Sequence, residues 1–432
     1  MKIATLYKNR LAKERGTVKK DWGGKLSVAL IYPNYYQVGM SNLGFQVVYW
    51  MLNENPAIVA ERVFLPEQEE LLLYRKTKQT LLSVESQTPL QKFDFLAFSL
   101  SFENDYPNIL TILDLSKIPL MCKDREENYP LIIAGGVTTF INPEPLANFI
   151  DCFLIGEGEV IVKKFFDAYL DFQLSTVNKE EALRVLASEV EGVYCPSFYK
   201  VAYREDGSIG SFTPLISSIS SKVKAVKHTP FEGPLCQSKI ITPSTEFSDT
   251  ILVELNRGCG LGCRFCAAGY VYRPPRIIEE ETIFSSFESI LDENTRVGLI
   301  SPSATDVPWI EKLTSTILER GGDFSVSSFR ADSLTTDLLK NIKKSSQKTL
   351  TFAPEAGSER LRMAINKKLT TEEILEAIIR IARTGFFHIK LYFIIGLPTE
   401  TREDVRDFRG YYTYSKDRLF SYQALFYHWS SN

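Results

Sequence analysis

The chain has 432 residues, a formal net charge of −3, 44% hydrophobic and 24% charged residues, an ordinary folded-protein composition that suggests two or three domains of roughly 100–200 residues. Near-neutral charge excludes a polyanion binder whose whole surface is basic, while a local basic patch remains compatible with it. The opening "MKIATLYKNRLAKERG" has no apolar signal segment, and no apolar run approaches the ~18–20 residues of a membrane span. A cytoplasmic protein that makes no use of a membrane is therefore expected.

Residues 1–24 read as a solvated N-terminal segment. Positions 7–20 hold six Lys or Arg and one Glu, and an RNA- or phosphate-contacting arm is the weaker alternative. From 25 to 174 the pattern is α/β. "LSVALIYPN" is a buried strand, "LGFQVVYWMLNE" a helix, "FDFLAFSLS" a strand, "DYPNILTILDLS" a helix, "YPLIIAGGV" a strand, and "CFLIGEGE" a strand before the helix "EVIVKKFFDAYLDF". Such alternation predicts a doubly wound parallel sheet. Its ligands lie beyond the carboxyl ends of the strands, along the edge formed by "YPNYYQVGMSNLG", "SLSFEND", "GGVTTFINPEP" and "GEGE". Residues 175–245 read as a linker with a small β element, a hairpin about Asp206–Gly207 followed by a Ser-, Lys- and Pro-rich connection.

Residues 246–432 repeat one unit. The strands "TILVELN", "RVGLISPS", "DFSVSSFR", "KTLTFAPE" and "HIKLYFIIG" are each followed by a helical pattern, and Thr370 with Glu373 fits a capping box. Five consecutive β/α units predict all or part of a parallel barrel with functional groups at the strands' carboxyl ends. "LFSYQALFYHW" reads as a sixth strand or a helix, and a core cut short after the fifth unit is expected. His388 reads as a residue of the barrel wall.

The first of these strands runs into "RGCGLGCRFCAAGY", where Cys259, Cys263 and Cys266 form a C-x3-C-x2-C spacing among Gly258, Gly260 and Gly262. Thiolates suit zinc or an iron–sulfur cluster, and the glycines permit the positive φ angles that wrapping demands. A structural zinc site wants four protein ligands, and neither His228 nor His388 makes a zinc-finger spacing. Three thiolates on an iron cluster leave one iron open to another ligand. A zinc or iron–sulfur scaffold or sensor without catalysis remains the competing class. Cys122, Cys152, Cys195 and Cys236 read as structural thiols.

"CGLGCRFC", with Phe265 before the last cysteine, resembles the signature of radical S-adenosylmethionine (SAM) enzymes. "FRADSLTTDLLKNIKKS", "TLTFAPEAGSERLRMAINKKLT" and "IKLYFIIGLPTET" resemble the later parts of their cores. "CRFCAAGYVYRPPR", the domain order and "AGGVTTFINPEPLANFIDCFLIGEGE" are similar to a subgroup in which a cobalamin-binding-like domain precedes the radical SAM core. The resemblance implies a flavodoxin-like first domain, a partial (β/α) radical SAM barrel, and a 4Fe–4S cluster on the three cysteines. It further implies SAM, reductive SAM cleavage for hydrogen abstraction or cobalamin-assisted methyl transfer, and a one-electron reductant of flavodoxin or ferredoxin type; the substrate stays unnamed, RNA, protein or a metabolite. A truncated, inactive remnant is also open.

The resemblance also implies residue roles. Phe265 would lie near adenine, Ser301 and Ser303 near the methionyl amine, and Ser328 and Arg330 at the end of the third strand. Glu355 would accept from ribose hydroxyls, Arg360 would hold the SAM carboxylate or else form a surface salt bridge, and Gly396 would let backbone approach adenine. Tyr272, Arg273 and Arg276 of "YRPPR" suit either an anionic substrate or packing. The first 227 residues contain no histidine, so cobalamin would bind without a protein histidine ligand, or the domain keeps the fold without the cofactor.

Overall fold

The computed structural model describes residues 3–229, 235–291, 295–327, 329–386, 388–407 and 421–428. The chain forms two compact units, Met1–Pro230 with Ser238–Asp249, and Phe231–Gln237 with Thr250–Asn432.

The first unit is built on β1 (Leu26–Tyr32), β2 (Ile58–Phe64), β3 (Phe95–Ser99), β4 (Leu131–Gly135), β5 (Cys152–Leu154) and β6 (Val193–Tyr194), in the spatial order β2-β1-β3-β4-β5-β6. All neighbours are parallel except β5 and β6. The order 2-1-3-4-5 is flavodoxin-like, with its switch point between β1 and β3. Every residue of β1 and β2 is buried, as a sheet covered on both faces requires. The helices Leu43–Glu54, Tyr106–Leu115 and Gly158–Asp171 each bury an apolar stripe.

Three stretches differ from the sequence expectation. The N-terminal segment is not merely solvated: the helix Ile3–Leu11 buries Ile3, Tyr7 and Leu11, spaced every four residues. The stretch read as a linker forms the expected hairpin, β7 (Tyr199–Tyr203) and β8 (Ile209–Pro214), but also contributes the helix Lys179–Glu189 and the edge strand β6. It then returns to the sheet: Val226 donates to the Ile155 carbonyl at 3.0 Å and accepts from Glu157 N–H at 2.8 Å. The "GEGE" turn, expected on a ligand edge, is thus paired with the chain's own backbone.

Beneath the N-terminal segment lies a buried ion cluster. Arg62, on the edge strand β2, pairs with Glu14 at 2.6 Å and Glu85 at 2.6 Å, with both Arg62 and Glu14 side chains fully buried. Glu14 also accepts from Tyr36 and Thr17. Burial pushes the Glu14 carboxyl up, but Arg62 and these donors outweigh it and hold it below the ordinary value.

The second unit contains β9 (Thr250–Glu254), β10 (Asn256–Arg257), β11 (Arg276–Ile277), β12 (Arg296–Ile300), β13 (Asp323–Val326), β14 (Thr349–Glu355), β15 (His388–Ile395) and β16 (Ser421–His428). Two three-stranded parallel sheets result, β9-β12-β13 and β14-β15-β16. Where they meet, the Gln347 side chain replaces a backbone ladder, accepting from Val326 N–H at 3.0 Å and donating to its carbonyl at 3.2 Å. Helices follow the strands at Glu280–Ile290, Ile310–Glu319, Thr336–Lys344 and Thr371–Arg383. The last begins with the capping box of Thr370 and Glu373. β16 continues the core one strand beyond the fifth unit, and its eight residues pair with β15. His388 is the exposed first residue of β15. Together the units are an α/β protein with a flavodoxin-like sheet and a partial parallel barrel.

Replacing Arg62 with Ala leaves two buried carboxylates uncompensated. The first unit should lose about 3–5 kcal/mol, read as a lower urea midpoint of its unfolding transition, whereas Lys163→Ala, which removes an exposed helix pair with Asp167, should change it by under ~1 kcal/mol.

Candidate functional site

β9 ends at Glu254, and two residues later the chain pairs with itself. Asn256 lies opposite Ile277 and Arg257 opposite Arg276, so β10 and β11 close the neck of a loop spanning residues 258–275. All three cysteines lie on this loop, at the carboxyl end of the first barrel strand. Arg257 is held by Glu254 at 2.6 and 2.9 Å. Arg276 is buried and donates to the carbonyls of Pro274 at 3.1 Å and Tyr272 at 3.4 Å. It braces the loop's own backbone.

Gly258 and Gly262 adopt φ of 83° and 67°. A Cβ on Gly258 would sit 2.2 Å from the Tyr272 carbonyl oxygen, and one on Gly262 would meet the Arg273 guanidinium at 2.5 Å. Gly260 is different: its φ lies outside the left-handed region, and the nearest atom to an added Cβ is Pro275 Cγ at 3.6 Å. Two of the three glycines in the motif are therefore demanded by geometry.

The loop's far side is fastened to the turn after the short helix Glu359–Ala364. Arg264 N–H donates to the Ile365 carbonyl at 2.9 Å, and its guanidinium to the Ala364 carbonyl at 2.6 Å. Asn366, at φ 59°, donates to the carbonyls of Leu261 at 3.2 Å and Gly262 at 2.8 Å. Asparagine tolerates this left-handed position better than most residues. That helix is itself held by Arg362, fully buried, which donates to the carbonyls of Ala356, Gly357 and Leu369 and to Thr371. Phe265 packs with Ile394 against the cluster of Leu361, Ile365 and Leu397. Asn366 and Arg362 were not singled out in the sequence. A polar residue after a helix of only six residues was the available signal for Asn366.

Cys263 is buried, while Cys259 and Cys266 are half-buried. Burial pushes the Cys263 thiol up and the Lys367 ammonium pulls it back; Cys266, Cys259 and Glu355 push it further up. The three sulfurs are thus within electrostatic reach of one another and of Lys367, a third residue the sequence did not flag. Lys367 pairs with Glu355 at 3.4 Å. Glu355 is the last residue of β14 and has φ 72°, a left-handed conformation that costs a non-glycine residue about 1–3 kcal/mol and concentrates at functional sites. Burial raises the Glu355 pKa despite the opposing Lys367.

The other sequence candidates fall at neighbouring strand ends. Ser301 and Ser303 follow β12 and are buried. Ser301 hydroxyl donates to Asn256 at 2.5 Å and accepts from Ser303 N–H at 2.9 Å, so both are tied to the neck of the cysteine loop. Arg330 follows β13 and pairs with Asp332 and, at 3.2 Å, Asp306. Asp332 chiefly holds it charged, and Cys259 adds to the effect. Gly396 follows β15 at φ 90° and donates to Glu400 at 2.6 Å. Arg360 points elsewhere: it is about half exposed and pairs with Asp404, the salt-bridge alternative of the sequence reading. Hydrogen bonds from Ser358, Thr401 and Arg360 lower the Asp404 pKa against the effect of burial. Ser328 lies outside the described residues. Three thiols wrapped by a glycine-permitted loop, with a cation beside the buried one, form a donor set that fits an iron–sulfur cluster.

Sequence comparison decides the family. The family profile for radical SAM proteins, N-terminal, matches residues 44–196, and that for the radical SAM superfamily matches residues 253–411. The chain belongs to the radical SAM superfamily. An uncharacterized protein of Methanocaldococcus jannaschii is 31% identical over 388 residues, 88% of this chain and 72% of that protein. An uncharacterized methyltransferase of Pyrococcus horikoshii is 24% identical over 311 residues, 68% of this chain and 59% of that one. In fold, the chain is similar to the cobalamin-dependent SAM radical enzyme OxsB with aqua-cobalamin and SAM bound, with a TM-score of 0.56 at 14% identity over 89% of this chain and 51% of that chain. The chain thus spans between half and three quarters of these relatives. Membership of the radical SAM superfamily implies an enzyme with a 4Fe–4S cluster, SAM and a reductant. Among the described residues no helix is long and apolar enough to cross a membrane.

If close backbone approach governs the loop, Gly258→Ala should lower iron and sulfide content after anaerobic reconstitution several-fold. Gly260→Ala should retain nearly the full content, measured on the same preparation scale.

Proposed function

We propose that Cys259, Cys263 and Cys266 hold the 4Fe–4S cluster and that SAM binds at the carboxyl ends of β12, β13, β14 and β15. When bound, the cluster would supply the electron that splits SAM into methionine and a 5′-deoxyadenosyl radical. The chain's own residues bind, orient and exclude water. Gly258 and Gly262 let the backbone wrap the cysteines. Lys367 sets a positive charge beside Cys263 and holds Glu355 in place, from which a carboxylate oxygen accepts from ribose hydroxyls. Ser301 and Ser303 present backbone and hydroxyl groups to the methionyl end, with Arg330 at the neighbouring strand end. Phe265 and the turn at Gly396 flank the adenine. Arg360 braces the turn at Asp404 and leaves the SAM carboxylate to other groups. The cysteine loop at the mouth of the barrel carries this reading.

The product of the radical is proposed at the level of class: hydrogen abstraction from a substrate, or cobalamin-assisted methyl transfer. Two observations favour the second route. The first unit has the flavodoxin-like order and a fold similar to that of OxsB. Its carboxyl edge also exposes apolar side chains, Phe102 after β3 at 57% and Ile141, at the end of the short helix after β4, at 48%, which a large flat macrocycle would cover. The donor set there lacks histidine, so cobalamin would be held without protein imidazole. Visible absorbance of protein loaded with cobalamin and desalted tests this; a colourless first unit removes the methyl-transfer route and leaves hydrogen abstraction.

For the cluster, anaerobic reconstitution should yield about four iron and four sulfide per chain. Each single Cys→Ser variant at the three positions should lose most of both. Reduced, loaded protein with SAM should form 5′-deoxyadenosine. Tetrahedral zinc in anaerobically prepared protein, with no iron, would overturn the reading.

A further inference from the structure

We infer that Cys152 and Cys195 form a redox modification site, a dithiol that closes to a disulfide across β5 and β6 and staples the antiparallel edge of the first unit's sheet. Phe153 lies opposite Tyr194 and Leu154 opposite Val193. One further step in this register sets Cys152, the first residue of β5, opposite Cys195, which follows β6 with extended backbone at φ −106° and ψ 105°. Ile155 N–H donates to the Gly192 carbonyl at 2.8 Å, which marks that facing pair as hydrogen-bonded. Bonded and non-bonded pairs alternate along an antiparallel ladder, so three steps away Cys152 and Cys195 form a non-hydrogen-bonded pair. Such pairs bring their Cα atoms to about 4.5 Å, inside the ~4.4–6.8 Å that a disulfide spans. Facing residues also project to the same side of the sheet.

The two side chains already meet. The Cys152 thiol lies within hydrogen-bonding reach of Cys195, and both residues are fully buried. Cys195 Sγ sits 4.0 Å from the Leu183 carbonyl oxygen of the helix Lys179–Glu189. Burial pushes the Cys152 thiol well up, and Cys195 and Asp151 push it the same way, so it stays protonated and slow to exchange while the strands are closed. β6 is a two-residue strand at the edge of the sheet, and opening it exposes the pair without unfolding the other strands. In the step itself, one cysteine thiolate attacks the S–S bond of a small-molecule disulfide such as oxidised glutathione and displaces one glutathione thiolate. The second cysteine then attacks the mixed disulfide and displaces the other. Cys152 and Cys195 together lose two electrons and two protons, which leave on two glutathione thiols. The new bond closes a loop holding the helices Gly158–Asp171 and Lys179–Glu189, and a closed loop restricts the unfolded chain.

The test equilibrates the full-length folded protein anaerobically in buffers of oxidised and reduced glutathione. After an acid quench, free thiols are alkylated in denaturant and the peptides are mapped by mass spectrometry. A peptide joining Cys152 to Cys195 should appear in the oxidising buffers and vanish on return to reduced glutathione. Its formation should speed up several-fold in urea well below the unfolding midpoint, as β6 opens more often. The stapled protein should unfold several degrees higher than the reduced one. Cys195→Ala should abolish both the joined peptide and the upward shift, and Cys122→Ala should leave both in place. The unsubstituted protein decides the matter even where a variant folds poorly. The inference is overturned if both thiols stay free or carry separate glutathione adducts in folded, equilibrated protein, if either cysteine joins a different one, or if the joined peptide forms only after global unfolding. A joined peptide without an upward shift overturns the staple.

Discussion

The cysteine site of the second unit depends on holding a long loop, with a single helical turn at Ala268–Val271, in one conformation. Ordering backbone costs roughly 1–2 kcal/mol per residue, and the internal hydrogen bonds of the segment 258–275 concentrate in its second half, between Cys263 and Tyr272. The loop is held from outside. The antiparallel pairing of Asn256–Arg257 with Arg276–Ile277 closes its neck. Arg264 and Asn366 fasten its far side to the turn after Glu359–Ala364, and Arg276 fills its base. These contacts engage backbone carbonyls and amides of the kind that must be paired when water is excluded. Arginine and asparagine side chains thus do the work of a secondary-structure ladder around the three cysteines.

The same logic explains why the polar groups at neighbouring strand ends are tied to one another. Ser301 is bonded to Asn256 at the neck, Glu355 to Lys367 beside Cys263, and Arg330 to two carboxylates. A side chain whose own orientation is locked presents a ligand with a defined set of donors and acceptors. The strained backbone at Glu355 fits this picture, since strain persists where surrounding contacts over-determine a position.

The first unit invests its buried charge differently. Arg62, Glu14 and Glu85 fasten the N-terminal segment over the edge strand β2, and Glu14 also reaches Tyr36 in the turn after β1. An edge strand presents unpaired backbone groups, and covering it with the chain's own N-terminal segment protects it. On the other side of the sheet, Val226 pairs with Ile155 and Glu157, so the carboxyl edge left open runs along the loops after β1, β3 and β4.

Local chemistry was legible in the sequence. The alternation of apolar strands and amphipathic helices specified both α/β units, because burial on two faces demands continuous apolar runs. The capping box at Thr370 and Glu373 was readable because its atoms are three residues apart. So was the cysteine spacing, because ligands that close must share one loop. What lay beyond reach depends on residues distant in the chain. Asn366 and Lys367 reach the cysteine loop across about a hundred positions, and Arg360 pairs with Asp404 on a later turn. Arg62 meets Glu14 across 48 residues. Gly260 proved dispensable to the backbone while its neighbours did not, since only folding decides which atom lies where a Cβ would stand. Short-range periodicity and spacing are written into neighbouring residues, whereas pairings between distant side chains exist only once the sheets have brought their strand ends to one edge.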